Sequence, residues 1–298
     1  LLSAAPLIIA GLGFAVAAKA GLFNIGLEGQ VVVGGMCGLI AGFSITGLPT
    51  IIHLPVALMF AFIGGAIWGG ISGWLKVATG AHEVITTIML NFVALRLTDY
   101  LLLNPPVQNP GRADPISRPV AETAQLPDIL DWIDPSLRLD ISIFIALVVA
   151  AVVAWLLWRT KLGFELRVMG VNPEAGRFAG MNSGRTIIVA MLLSGGIAGL
   201  GGAMLTEGVL SRATPGFSGG LGFEAIAVAL LARNHPAGVV FAGLLFGALE
   251  AGGRLMQVQA GVSVDLITIV QGAIVLCIAA PMLIQALYPF IFRRRGSS

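Results

Sequence analysis

Charge is what this sequence has least of: Asp, Glu, Lys and Arg make up 11% of its 298 residues, against 57% hydrophobic, and the mean hydropathy is +0.94. A water-soluble domain carries about twice that share of charge, so the composition excludes one and points to an integral membrane protein. Aromatic side chains are scarce as well, with 2 Tyr and 5 Trp beside 40 Gly, which favours close helix packing over a large aromatic core. Cys37 and Cys277 both lie inside apolar runs, which excludes a disulfide framework and leaves no metal-ligand spacing. His53, His82 and His235 stand far apart near the ends of apolar runs. There is no G-x-x-x-x-G-K-[ST] phosphate loop, no H-E-x-x-H and no nucleophile elbow. Nothing supports an enzyme, and any ATP that drives this protein is bound by another subunit. A net charge of +2 gives no reason to expect nucleic acid or an acidic partner.

What the sequence does have is apolar runs of about 17 to 25 residues, the length that crosses a bilayer core of ~30 Å as helix. They are placed at 1–18, 30–47, 50–75, 84–103, 139–158, 186–210, 216–232, 236–254 and 262–292. The expected fold is an all-α polytopic membrane protein, a single transmembrane domain over 1–298 with about nine transmembrane helices. With alternating spans, eleven basic residues fall on one side: Lys19, Lys76, five within 159–185, Arg233 and Arg293 to Arg295. Arg112, Arg118, Arg138, Arg212 and Arg254 fall on the other. The richer side is expected to be cytoplasmic, with the C-terminus there. The chain opens without Met or a charged leader, and the topology asks for one further span before it, ten in all.

The segment 159–185 is a polar interruption between two apolar runs, with five Lys/Arg. Asn172 suits an N-cap, Pro173 the first helical position, Glu174 the positive helix end, and Gly180 a stop. Ala175, Phe178 and Ala179 then form a small apolar face backed by Arg177. A helix with so little of its own to pack on points to a partner; an ordinary basic loop is the other reading. On the opposite side, 104–138 is rich in proline and carries five acidic residues, open between a partner surface and a plain exposed loop.

Polar groups inside the spans are costly and mark functional candidates. They are Asn24, Glu28 and Gln30 in FNIGLEGQ, then Asn91, Arg96, Asp99, Glu207, Glu224, Glu250 and Gln271. Arg96 and Asp99, three apart, form a local ion pair, structural rather than substrate-binding. Asn91 reads first as helix-to-helix glue. Glycines 21, 26 and 29 let the backbone break near 21–30, and glycines 216, 219 and 220 do so near 215–225. Paired interruptions of this kind are found where broken or re-entrant helices line a transport path. A mid-membrane break and a cytoplasmic loop both fit FNIGLEGQ. In the path it offers amides and a carboxylate to a hydroxylated, uncharged solute; in a loop, Glu28 caps the next span. Phe217 and Phe223 are available to stack on a planar ring and Glu224 to accept from its donors, although packing is the commoner role of Phe.

Together, FNIGLEGQ (23–30), HEVITTIMLNFVA (82–94) and VMGVNPEAGRFAGM (168–181) resemble the permease subunits of bacterial ABC importers. Within these, the chain is most similar to the simple-sugar and nucleoside branch, related to ribose and branched-chain amino-acid permeases, and the resemblance covers essentially the whole chain. It implies a nucleoside importer of the bacterial inner membrane working by alternating access. A ribose-like sugar or a branched-chain amino acid is the alternative cargo, and an ion-coupled carrier the alternative class. The implied partners are a cytoplasmic ATP-binding subunit, a second permease and an extracytoplasmic solute-binding protein. ATP and Mg belong to the ATPase, and no cofactor to this chain. The helix Pro173 to Ala179 becomes the coupling helix that docks on the ATPase. Where the family usually has Ala-Ala, this chain has Ala175-Gly176.

Overall fold

In hydrocarbon a backbone must satisfy its own hydrogen bonds, and a helix does so within one segment. The computed structural model describes residues 1–129, 139–261, 263, 266–274, 276 and 277. Two units make up the chain, Leu1–Gly247 and Ala248–Ser298. The helices are α1 (Ala4–Lys19), α2 (Leu27–Ser44), α3 (Thr50–Thr79), α4 (Glu83–Leu102), α5 (Ser142–Arg159), α6 (Lys161–Val171), α7 (Pro173–Phe178), α8 (Ser183–Ala203), α9 (Leu221–Leu231) and α10 (Pro236–Ala260). A π-helical turn, Met204–Val209, continues α8. Among the described residues there is no strand. Among those residues six helices are long and apolar enough to cross a membrane: α2, α3, α4, α5, α8 with its π turn, and α10. The protein is an all-helical, multi-pass membrane protein.

Seven of the expected runs coincide with a helix, and the run 216–232 departs from expectation. Gly216, Gly219 and Gly220 take φ of 68°, 58° and 84°, which no helix allows, and α9 has only 11 residues. That is about 16 Å of helix, well short of a crossing. Most of 262–292 lies outside the described residues, as do Arg138, Asp265 and Arg293 to Arg295.

Within the first unit α1 is buried from Ala4 to Ala17, with α8, α9 and α5 around it. Helix α8 also packs on α2 and α3, and it does so backbone to backbone. A Cβ on Gly199 would stand 2.4 Å from the Ala61 carbonyl oxygen, and one on Gly195 2.3 Å from that of Gly65. Only glycine fits there, and the gain is dispersion between flat helix faces, which replaces the hydrophobic drive that lipid removes.

The two ends of the bundle differ. At one, Gly170 of α6 lies against Gly21, and Lys76 at the end of α3 pairs with Glu83 at the start of α4 (2.6 Å). At the other, the segment 104–129 is tied down by its backbone. Ser117 donates to the Ala213 carbonyl, Val120 to Ser211, Ala121 to Gly42 and Leu126 to Glu207, each at 3.0 Å. Val120 and Ala124 are buried with Met36, Leu39 and Ala57, so this segment is an ordered cap. On its surface Arg112 donates to Asp114 (2.8 Å) and holds that carboxyl below the usual range.

Candidate functional site

Helix α1 stops at Lys19, Gly21 turns the chain with φ 74°, and α2 begins at Leu27. Asn24 lies in the gap between them, and Glu28 and Gln30 lie in the first turn of α2. The Asn24 amide nitrogen donates to Gln30 (2.9 Å) and to the Ser194 hydroxyl of α8 (2.8 Å). Its oxygen accepts from the Gly26 N–H (3.0 Å) and from the Gln30 amide (3.1 Å). From α4, Asn91 accepts from the Gly29 N–H (2.8 Å) and donates to the Ile25 carbonyl (2.9 Å). One peptide group of the break and one first-turn N–H of α2 are thus paired, as a water-free environment demands.

Glu28 joins this knot to the second glycine-broken stretch. Its carboxylate accepts from the Ser218 hydroxyl (2.5 Å) and from the Gly222 N–H (2.7 Å). Gly222 lies in the first turn of α9, where N–H groups have no helical partner, and Glu28 lies in the first turn of α2. Two helix N-termini therefore converge on one negative charge, which both favour. The approach is close: a Cβ on Gly222 would stand 2.3 Å from the Glu28 nitrogen.

The structure brings Asn24, Glu28, Gln30 and Asn91 into one buried region, with Asn24 bonded to Gln30, Asn91 to backbone, and Glu28 to Ser218 and Gly222. Phe217 packs half-buried against the cluster of Met36 and Leu39. Phe223 is 50% exposed, and Glu224 stands half-buried beside it in α9. Arg96 and Asp99 pair at 3.3 Å with the Arg96 side chain 87% exposed, on a free face of α4. Glu207 lies in the π turn, fully buried, with no hydrogen-bond partner for either carboxylate oxygen among the described residues. In the second unit Glu250 pairs with Arg254 and Gln271 is buried. Ser194 and Ser218 are the bonding partners that sequence reasoning missed. They stand 170 and 190 residues from the groups they bond, and their only signal was a hydroxyl beside glycines.

At the foot of the bundle the segment 159–185 folds as α6 and α7. Asn172 accepts from the Ala175 N–H (3.0 Å) with Pro173 at the first position, and Gly180 ends the turn with φ 80°. Gly176 is buried against Met169, where a Cβ would meet the sulfur at 2.4 Å. That contact seats α7 on α6. Asn172, Pro173, Glu174, Ala175, Arg177 and Ala179 are exposed, and Phe178 is 94% exposed.

Membrane-length helices around an internal polar knot, with a capped helix held out at one end, are the build of a transport subunit of the permease class. The chain belongs to the family described as branched-chain amino acid transport system, permease component, whose pattern matches residues 1–279. It is 39% identical over 282 residues to the guanosine ABC transporter permease protein NupP of Bacillus subtilis, covering 94% of this chain and 80% of that one. It is 38% identical over 282 residues to the glucose ABC transporter permease protein TsgB13 of Haloferax volcanii (93% and 74% covered). With the nucleoside ABC transporter permease protein NupB of Lactococcus lactis it shares 33% over 288 residues (95% and 79%). No solved structure matches the chain.

Proposed function

We propose that this chain is the membrane-spanning permease subunit of an ATP-driven nucleoside importer, forming half of the translocation path and working by alternating access. Guanosine and nucleoside permeases among its relatives support that cargo; the glucose permease among them makes a sugar the second reading. In this reading about nine crossings include α1, and α9 is one half of a broken span. The end bearing α7 faces the cytoplasm, as does the C-terminus, in a bacterial inner membrane. A separate subunit binds ATP and Mg and hydrolyses the nucleotide. A second, related permease completes the path as a heterodimer, and a solute-binding protein delivers cargo to the cap at 104–129.

The observation that carries the coupling role is Phe178, 94% exposed on a helix whose cap and stop are both in place. A large apolar side chain ordered in water awaits a groove. Asn172, Pro173, Glu174, Ala175, Arg177, Phe178 and Ala179 are the residues we assign to the ATPase contact. Asn24, Glu28, Gln30 and Asn91 hold the break beside the path, and Phe217, Phe223 and Glu224 flank it. The test is uptake of labelled guanosine, uridine, glucose and leucine by cells expressing this permease with its genomic neighbours, with and without the ATP-binding subunit. Nucleoside uptake that disappears with the ATPase is the expected result. Uptake that persists without it and collapses with the ion gradient would make the protein a secondary carrier.

A further inference from the structure

The free face of helix α4 carries a charged pair well inside a membrane-length helix. One side, with Thr87, Asn91, Ala94, Thr98 and Leu102, is buried against α2 and α3. The other presents Met89, Phe92, Arg96, Asp99 and Tyr100, which at 3.6 residues per turn fall within an arc of about 100°. Phe92 and Tyr100 are 61% and 63% exposed. Arg96 sits six residues from the end of α4 at Leu102, about 9 Å inside it at 1.5 Å per residue.

This face is a poor match for lipid. A charged side chain in a span costs about 2.5–3.5 kcal/mol even on the mildest scale, and such residues nearly always face the bundle interior or water. Among the described residues Arg96 makes a single bond, to Asp99 at 3.3 Å, which leaves most of its five guanidinium donors without a partner there. The free face of α5 shows the contrast: Phe144, Val148, Val152 and Trp155 are all exposed, spaced along one stripe without a charge.

We propose that the Arg96–Asp99 face of α4 fronts the aqueous translocation path and is a polar subsite for the solute. Arg96 supplies donors and Asp99 an acceptor to a hydroxylated, uncharged solute. Phe92 and Tyr100, one turn to each side of Arg96, offer rings to a planar base. The proposal rests on the transport reading above, and its test separates the two.

In the assembled transporter, with Cys37 and Cys277 replaced by serine, Phe92→Cys, Arg96→Cys and Tyr100→Cys are treated with a charged, membrane-impermeant thiol reagent beside Val148→Cys and Val152→Cys. The expected result is reaction at the three α4 positions and none at the α5 positions, with guanosine slowing the α4 reaction. Reaction on α4 no faster than on α5, or reaction that guanosine leaves unchanged, overturns the proposal. A second measurement separates solute binding from a structural pair. Arg96→Ala is expected to raise the KM for guanosine about tenfold, the effect of losing one hydrogen bond to a charged group. Exchanging the charges, Arg96→Asp with Asp99→Arg, re-forms the pair and is expected to leave that KM raised; full recovery would make the pair structural and overturn the subsite. ATP-dependent uptake by the unaltered protein is run alongside. Its absence sinks the transport reading, whereas normal uptake with an unreactive α4 face sinks this inference alone.

Discussion

The knot at FNIGLEGQ and the foot at 159–185 are built from similar polar residues, Asn, Glu and Gly, and use them in opposite ways. In the knot each amide and carboxylate bonds inward: Asn24 to Ser194, Asn91 to Gly29, Glu28 to Ser218 and Gly222. In the foot Asn172 and Gly180 close a short helix and leave Phe178 outside. Polarity inside the bundle holds a backbone that has stopped being helical. At the water's edge it sets the shape of a helix whose apolar side chain is left free for another molecule. Folding and coupling are thus separable, and substitutions can be ranked by how far they separate them.

The largest loss of stability is expected from Glu28→Ala, which strands the Ser218 hydroxyl and the Gly222 N–H in a dry interior at about 1–3 kcal/mol each. Purified protein should show a lower midpoint of thermal unfolding, and Glu28→Gln, which keeps an acceptor, should recover part of it. Equal loss in both would mean that the charge, not the acceptor, is what two helix ends require. Next comes Asn91→Leu, which removes the partners of Gly29 and Ile25 and should cost about 1–3 kcal/mol at Gly29 and less at Ile25, whose bond is only part-buried, read as aggregation on size-exclusion chromatography. In the foot, Asn172→Ala removes one cap bond, worth about 1 kcal/mol locally. Faster amide exchange at Ala175 with an unchanged unfolding midpoint is the expected reading. Phe178→Asp should move stability least, within about 0.5 kcal/mol as for other exposed positions, and yet abolish uptake while membrane insertion stays normal. Wild-type uptake in that variant would remove the coupling role and, with it, the contrast between the two regions.

The local half of this contrast was legible in the sequence and the non-local half was not. Asn172, Pro173 and Gly180 act within a few residues of one another, so capping chemistry locates α7 without a fold. FNIGLEGQ announced a break through its glycines but left a cytoplasmic loop and a mid-membrane break equally open, because the groups that bury it, Asn91, Ser194 and Ser218, come from α4, α8 and the turn before α9. Glu28 shows the limit well. Its position suited a cap for its own helix, and the structure gives its bonds to the start of α9 instead. Hydropathy made 216–232 a crossing because it weighs composition and is blind to φ; three glycines with positive φ leave 11 helical residues there. The spacing of Arg96 and Asp99 made an ion pair readable, but its exposure depends on which side of α4 the rest of the bundle occupies.

The bond between Glu28 and Ser218 also has a schedule. The two residues are 190 positions apart, and a growing chain lengthens by about 5–20 residues per second. Glu28 is therefore made roughly ten to forty seconds before the hydroxyl and the N–H that will receive it. For that interval a carboxylate destined for a dry interior is held in water or by the insertion machinery. Asn91, then Ser194, then the start of α9 reach the break in that order, so the joint between α1 and α2 is closed in stages, with Glu28 last.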